Sequence, residues 1–397
     1  MTKTIAITAV AVTALLGGCA TSVPEAKKEA EVRWADARAQ VVCDVARQHV
    51  KTGQLNEAGL KAAEALALDP TLTDARVVLG KVYIEKGRYA HAVAELSRAV
   101  EDQPQSTEIN YLLGVALEKD GQLTEALDRY KLAYALDTRA AAPILAAAET
   151  MVALGRLDEA AGYLQDHAAD LRNEPGLAEL AGRVAMMQER YDRAAVFFQD
   201  AVDLAPRNRL YLESLARALF HSGLHERALE PLGKLAELAE KDQTDPPAWV
   251  LTLTGDCLMA VGRTHEARDA YRDATRVKPD APGVWVNLAK AALALKDPTR
   301  AVLSARQALY LSPRDPDAQM LLGYALLAAG ELAEAVSVLT PAVRQHPRNA
   351  MLLCVLGRVH AARGSDDQAR RYYRQALEVE PQNVLARRLL DAGPSTQ

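Results

Sequence analysis

Apolar residues along this chain fall at helical spacing in short runs, as in Leu112, Leu113, Val115, Ala116 and Leu117, and each run is followed by a polar break. The breaks keep a fixed frame. Alanine stands at Ala58, Ala92, Ala126, Ala160, Ala194, Ala228, Ala267, Ala301, Ala335 and Ala369, with every step 34 residues except one of 39. Glycines 53, 87, 121, 155, 223, 262, 330 and 364 follow the same frame, as do prolines 70, 104, 206, 279, 313, 347 and 381. The pattern predicts ten repeats of two helices each: 39–72, 73–106, 107–140, 141–174, 175–208, 209–242, 248–281, 282–315, 316–349 and 350–383. Six repeats therefore span 39–242, residues 243–247 (Gln-Thr-Asp-Pro-Pro) are an insertion, and four repeats span 248–383.

Each recurring residue has a physical reason. The eighth position of every repeat is Gly or Ala (Ala46, Gly80, Gly114, Ala148, Gly182, Ala216, Gly255, Ala289, Gly323, Gly357), because a larger side chain would hold the paired helices apart. The alanine opening the second helix is expected to be the opposing small surface. The glycine ends the first helix in a left-handed conformation that satisfies its last carbonyls, and the proline stops the second. One repeat cannot bury its apolar face alone, so the array needs caps. In 384–397, residues 384–391 read as a capping helix with Arg387 and Arg388 towards water and Leu385, Leu389 and Leu390 on the tenth repeat.

The second repeat carries the fullest motif: Leu79-Gly80 and Tyr83 in its first helix, then Gly87, Ala92, Ala99 and Pro104. In the eighth, Trp285 and Leu288 are followed by Ala289. A 34-residue period with this motif resembles the tetratricopeptide repeat family. The resemblance implies an all-α, right-handed superhelical solenoid of about ten helix-turn-helix units with a C-terminal capping helix. It also implies a concave groove, lined by the first helices, that binds proteins or peptides. Carried onto this chain, the family's groove positions include the cations Arg47, Lys81, Arg183, Arg217, Lys290 and Arg358. In the C-terminal half they hold Trp249, Met259, Val286, Leu293, Met320, Tyr324 and Leu327. The cations read either as a solvated face or as a site for acidic segments, which Arg suits. The apolar set reads either as core or as an adaptable surface for an amphipathic helix or extended peptide.

Three repeats are irregular. The fourth has Arg172 for the closing Pro and His167 for Ala; the fifth has Glu189 for the turn Gly; the sixth has Glu240 for Pro, Leu235 for Ala and an internal Pro231. With the 243–247 insertion, the sixth repeat marks either a hinge or drift in a tolerant scaffold.

The first nineteen residues are of another kind. Lys3 precedes an apolar run of twelve residues, Ile5–Leu16, too short to span a bilayer, which takes about 20. Leu16-Gly17-Gly18-Cys19 resembles the lipobox of bacterial lipoproteins, so 1–19 is expected to be a signal ending at a lipidated Cys19. Ala20, where Asp would retain the protein at the inner membrane, implies the outer membrane and a lipid-anchored chain facing the periplasm. Residues 20–38 are expected to form a tether and then a helix, with Trp34 shielding the first repeat.

Composition excludes other classes. A net charge of -5 without a basic cluster argues against nucleic-acid binding. No glycine loop cradles phosphate, and His221 and His225 are separated by Gly223, which breaks the helix between a potential metal pair. Cys43, Cys257 and Cys354 belong to distant repeats and are expected to be buried thiols. The sequence therefore implies no enzyme, cofactor, metal or small-molecule substrate. Resemblance to tetratricopeptide outer-membrane lipoproteins points to assembly of a pilus or secretion machine, with secretin, pilus or export components as partners. Adaptors for peptidoglycan hydrolases and exopolysaccharide export scaffolds are the alternatives.

Overall fold

A computed structural model describes residues 23–168 and 174–392, with side chains from residue 27 onward. Cys19, the rest of the expected export signal and Arg172 lie outside the described residues. Among these there are twenty-one α-helices and no strand. They belong to two compact units, Met1–Arg172 and Asn173–Gln397.

The first unit holds α1 (Val23–Lys51), α2 (Leu55–Leu68), α3 (Thr73–Glu85), α4 (Tyr89–Asp102), α5 (Thr107–Lys119), α6 (Leu123–Leu136), α7 (Ala141–Ala153) and α8 (Leu157–His167). The second opens with α9 (Pro175–Met187), α10 (Tyr191–Leu204), α11 (Arg209–His221), α12 (His225–Lys241), α13 (Ala248–Ala260) and α14 (Thr264–Val277). It continues through α15 (Pro282–Ala294), α16 (Pro298–Leu311), α17 (Pro316–Ala329), α18 (Leu332–Gln345), α19 (Ala350–Ala362), α20 (Asp366–Val379) and α21 (Val384–Asp391). Within each unit a helix packs on its neighbours in sequence, and first helices also touch the first helices of adjoining repeats.

The turns are set by backbone chemistry. All eight frame glycines have φ between 69° and 86°. In the second repeat, Gly87 N–H donates to Ile84 O (3.0 Å) and Arg88 N–H to Tyr83 O (2.8 Å), closing the helix end. Two repeats lack the glycine, yet Glu189 (φ 59°) and Lys296 (φ 58°) hold the same conformation. The bonds that follow are the same too: Arg190 N–H to Ala185 O and Asp297 N–H to Ala292 O, both 2.9 Å. Packing of the paired helices thus imposes the turn on residues that disfavour it.

The eighth position is small for a different reason from the one expected. A Cβ on Gly80, Gly114, Gly182, Gly255, Gly323 or Gly357 would lie 2.4–2.6 Å from Leu96, Tyr130, Phe198, Tyr271, Leu339 or Tyr373 respectively. Each of these is the residue sixteen positions on, in the middle of the second helix. The opposing surface is therefore a large side chain seated on a bare stretch of backbone, not the recurring alanine. Those alanines are buried all the same, Ala58, Ala92, Ala126 and Ala160 completely.

The two termini also differ. α21 closes the second unit: Leu385 and Leu389 pack against Leu353, Cys354, Ala376 and Ala386, while Arg387 and Arg388 face water. Asn383, 7% exposed, caps it by accepting from Ala386 N–H at 2.9 Å. At the other terminus, no shield over the first repeat is found among the described residues. α1 runs 29 residues without a break, its last part being the first helix of repeat one. Trp34 is 67% exposed and covers nothing. Around the insertion, α12 continues through Pro231 to 17 residues where α10 has 14. Gln243 then takes φ 57°, and Thr244 N–H returns to Ala239 O at 3.0 Å.

Candidate binding groove

The first helices present their ninth positions in a row, and the partners of those residues follow a rule. Lys81 Nζ lies 2.6 Å from Glu108, the second residue of the next repeat. Arg47 pairs in the same way with Asp74, and with Asp44 at 3.1 Å. In the second unit an aromatic replaces the carboxylate: the Arg217 guanidinium sits 4.8 Å from the Trp249 ring centroid, while Glu213 holds it at 2.8 Å. Arg183 pairs with Glu179 at 3.5 Å, and Arg358 lies 5.0 Å from the centre of Tyr324. Such exposed pairs contribute less than about 1 kcal/mol each, so a ligand carboxylate can exchange with the internal one at modest cost.

Among the described residues, each unit has a cleft walled by ninth-position cations. The first, about 380 Å³, includes Arg47, Lys51, Asp74, Lys81, Glu108 and Ile109 in its wall. The second, about 270 Å³, brings Leu327 and Arg358 together with Asp366, Arg370, Tyr373 and Leu389. Between them in sequence, Asp256 accepts from the Tyr271 hydroxyl at 2.7 Å and from Asn287 Nδ2 at 3.1 Å. Burial raises the Asp256 pKa, while the Tyr271 bond and Lys290 pull it down. Burial, reinforced by that same bond, holds the Tyr271 hydroxyl well above the usual phenol range. Tyr271 reaches Asp256 by passing the bare backbone of Gly255, so the packing socket also fixes a buried hydroxyl on that carboxylate.

The apolar candidates divide. Val286 is only 8% exposed and belongs to the core with Ala289 and Leu322, so it offers no ligand surface. Leu293, Met320 and Leu327 are half-buried against that core, and Met259 against Leu258 and Tyr271. Trp249 is half-buried beside Arg217, and Tyr324 is 36% exposed. Sequence reasoning missed Asp74 and Glu108. The signal was present: a cation at position nine followed 27 residues later by an acid.

The described thiols are shielded from solvent. Cys43, Cys257 and Cys354 are all 0% exposed, and burial pushes Cys257 up to about 12 and Cys354 to about 11. His221 ends α11 and His225 begins α12, each against the Phe220 ring.

Paired helices stacked in a 34-residue frame, with ninth-position cations lining a cleft in each unit, define a helical-repeat interaction scaffold. Matches to the tetratricopeptide repeat family cover residues 77–143, 179–246, 253–318, 288–350 and 320–384, more than half of the chain, and the protein belongs to that family. Such repeats serve protein–protein interaction and are typically non-catalytic. The chain is 23% identical to BBSome complex member BBS4 of Bos taurus over 206 residues, 52% of this chain and 39% of that protein. It is 30% identical to cellulose synthase operon protein C of Pseudomonas fluorescens over 147 residues, 35% of this chain and 12% of that protein. The match thus spans less than half the length of these curated relatives. Among solved structures, the chain is similar to YrrB, described as a TPR protein with an unusual peptide-binding site. The TM-score is 0.41 and the identity 23%, over 48% of this chain and 95% of YrrB.

Proposed function

We propose that this protein is a lipid-anchored scaffold on the periplasmic side of the outer membrane, holding components of a pilus or secretion machine in its groove. The carrying observation is the set of half-exposed apolar and cation-backed aromatic residues on three first helices: Trp249 and Met259 on α13, Leu293 on α15, and Met320 and Tyr324 on α17. Met and aromatic side chains on a row of helices accommodate amphipathic or extended segments of varied sequence, as an assembly factor requires. Cys19 supplies the anchor, since a triacylated cysteine exceeds the two signals that stable membrane attachment takes. A second reading, a scaffold for exopolysaccharide export, draws on the likeness to cellulose synthase operon protein C.

The test is purification of the lipoprotein from gently solubilised outer membranes, with bound proteins identified by mass spectrometry. The assembly reading expects a secretin or pilus component that is lost from Trp249→Ala and Tyr324→Ala variants, and release of Cys19→Ser from the membrane fraction. Export-channel proteins in their place favour the second reading. Wild-type protein in the soluble fraction overturns the anchor.

A further inference from the structure

In the first unit, the residues that face the preceding repeat are buried wherever a preceding repeat exists. The third position is buried as Ala75, Ile109 and Pro143, and the seventh as Leu79, Leu113 and Ala147. In repeat one the same positions are Val41, 64% exposed, and Val45, 41% exposed. α1 carries this bare stripe beyond the hairpin. Trp34 lies seven residues before Val41 and eleven before Val45, on one helical face, with the Arg38 guanidinium 5.8 Å from its ring centre. The body of the unit lies on the opposite side of α1, where Ala39, Cys43 and Ala46 are fully buried.

We infer that this stripe is a homodimer interface, in which α1 of one copy lies antiparallel against α1 of a second. Charge selects the occupant. Glu31 and Arg38, both exposed, sit two turns apart on the same flank of the stripe. Antiparallel pairing about the midpoint between residues 34 and 35 sets Glu31 opposite Arg38 of the second copy, and Arg38 opposite Glu31, by the same symmetry operation. The two Trp34 indoles then meet at the centre. Lys28 falls opposite Val41, whose exposed apolar surface its methylene stem covers. Across residues 27–42 no like charges fall opposite one another, and both repeat bodies point away from the pair. The inference does not depend on the proposed partner or on lipidation.

The test uses the full chain carrying Trp34→Cys, oxidised in cells with copper phenanthroline; the chain without the added cysteine, which keeps Cys19 and the three buried thiols, is the background and must give no dimer. The expected result is a disulfide-linked species of twice the monomer mass, absent from Val32→Cys on the opposite face of α1. Glu31→Arg or Arg38→Glu, each added to Trp34→Cys, is expected to lower the yield about fivefold or more, and the double exchange to restore it. Monomer alone from Trp34→Cys, equal yields from Trp34→Cys and Val32→Cys, or equal yields across the charge exchanges would overturn the inference. An adduct of Trp34→Cys with a protein of another mass, or its protection by anionic vesicles, would do the same by assigning the stripe to a different occupant.

Discussion

Replacing Gly255 with Ala places a methyl carbon 2.4 Å from Tyr271 Cε1, 2.7 Å from Cδ1 and 2.8 Å from Cζ. Carbon atoms rest at about 3.5–4.0 Å, so the ring must retreat by roughly 1 Å. It is 2% exposed and has little free volume to retreat into. Overpacking of this kind costs about 1–3 kcal/mol. The same shift stretches the 2.7 Å bond from the Tyr271 hydroxyl to Asp256, a bond to a charged group worth about 1.5–3 kcal/mol when lost outright. Against this stands a gain of about 1 kcal/mol in helix propensity for Gly→Ala. The net expectation is a loss of about 1–4 kcal/mol. It is to be read as an earlier urea transition in circular dichroism and as faster amide exchange in α13 and α14. Adding Tyr271→Leu should recover part of the loss, because the sixth repeat carries Ala216 and Leu232 at the equivalent positions. Gly233→Ala is the matched control: nothing lies within 4 Å of its Cβ, so it should gain about 0.5–1 kcal/mol. If Gly255→Ala proves as stable as the wild type, with α13 and α14 exchange unchanged, the socket argument is wrong.

Three other outcomes follow from the described geometry. Glu189→Gly and Lys296→Gly should each raise stability by about 0.5 kcal/mol, as relief of left-handed strain outweighs the entropy of glycine; a lower melting temperature for both would refute this. Above pH 9 the unfolded chain sheds thiol protons that folded Cys257 and Cys354 keep to about 12 and 11. Stability is therefore whole below pH 9 and falls between pH 9 and 11 by about 1.4 kcal/mol per pH unit per group, and denaturant midpoints that stay flat or rise there would contradict it. Asn383→Ala should cost about 1 kcal/mol and speed amide exchange in α21 ahead of the rest, whereas unchanged exchange would show that the cap contributes nothing.

The repeat frame was legible because each of its marks answers a backbone requirement. Glycine serves φ above zero, proline ends a helix, and a small residue permits close approach. What the frame could not show is which atoms approach. Periodicity points to Ala58 and its equivalents as the surface facing Ala46 or Gly80, but the glycine sockets receive position twenty-four, as Gly80 receives Leu96. Those occupants vary among Leu, Tyr and Phe, so periodicity in residue identity alone passed over them. The groove cations were legible by position, but their internal partners Asp74 and Glu108 lie a repeat away and emerge only when adjacent repeats are set side by side. Val286 stood at a groove position and is core, because helical spacing cannot separate a half-turn facing solvent from one facing the next helix. Trp34 was expected to shield repeat one because apolar residues usually bury. The continuous helix carries it past the body that could cover it.

The contrast between the capped last repeat and the bare first one also decides how the protein can polymerise. Endless head-to-tail growth needs complementary sticky faces at both extremities, whereas a single self-complementary face closes after two copies. Among the described residues, α21 is seated on Leu353 and Cys354 while the α1 face stays bare, so the inferred α1 pairing fills dimers as concentration rises and builds no filament. An eight-residue helix at the tail thereby acts as a chain terminator, and its removal would supply the second sticky end from which fibres grow.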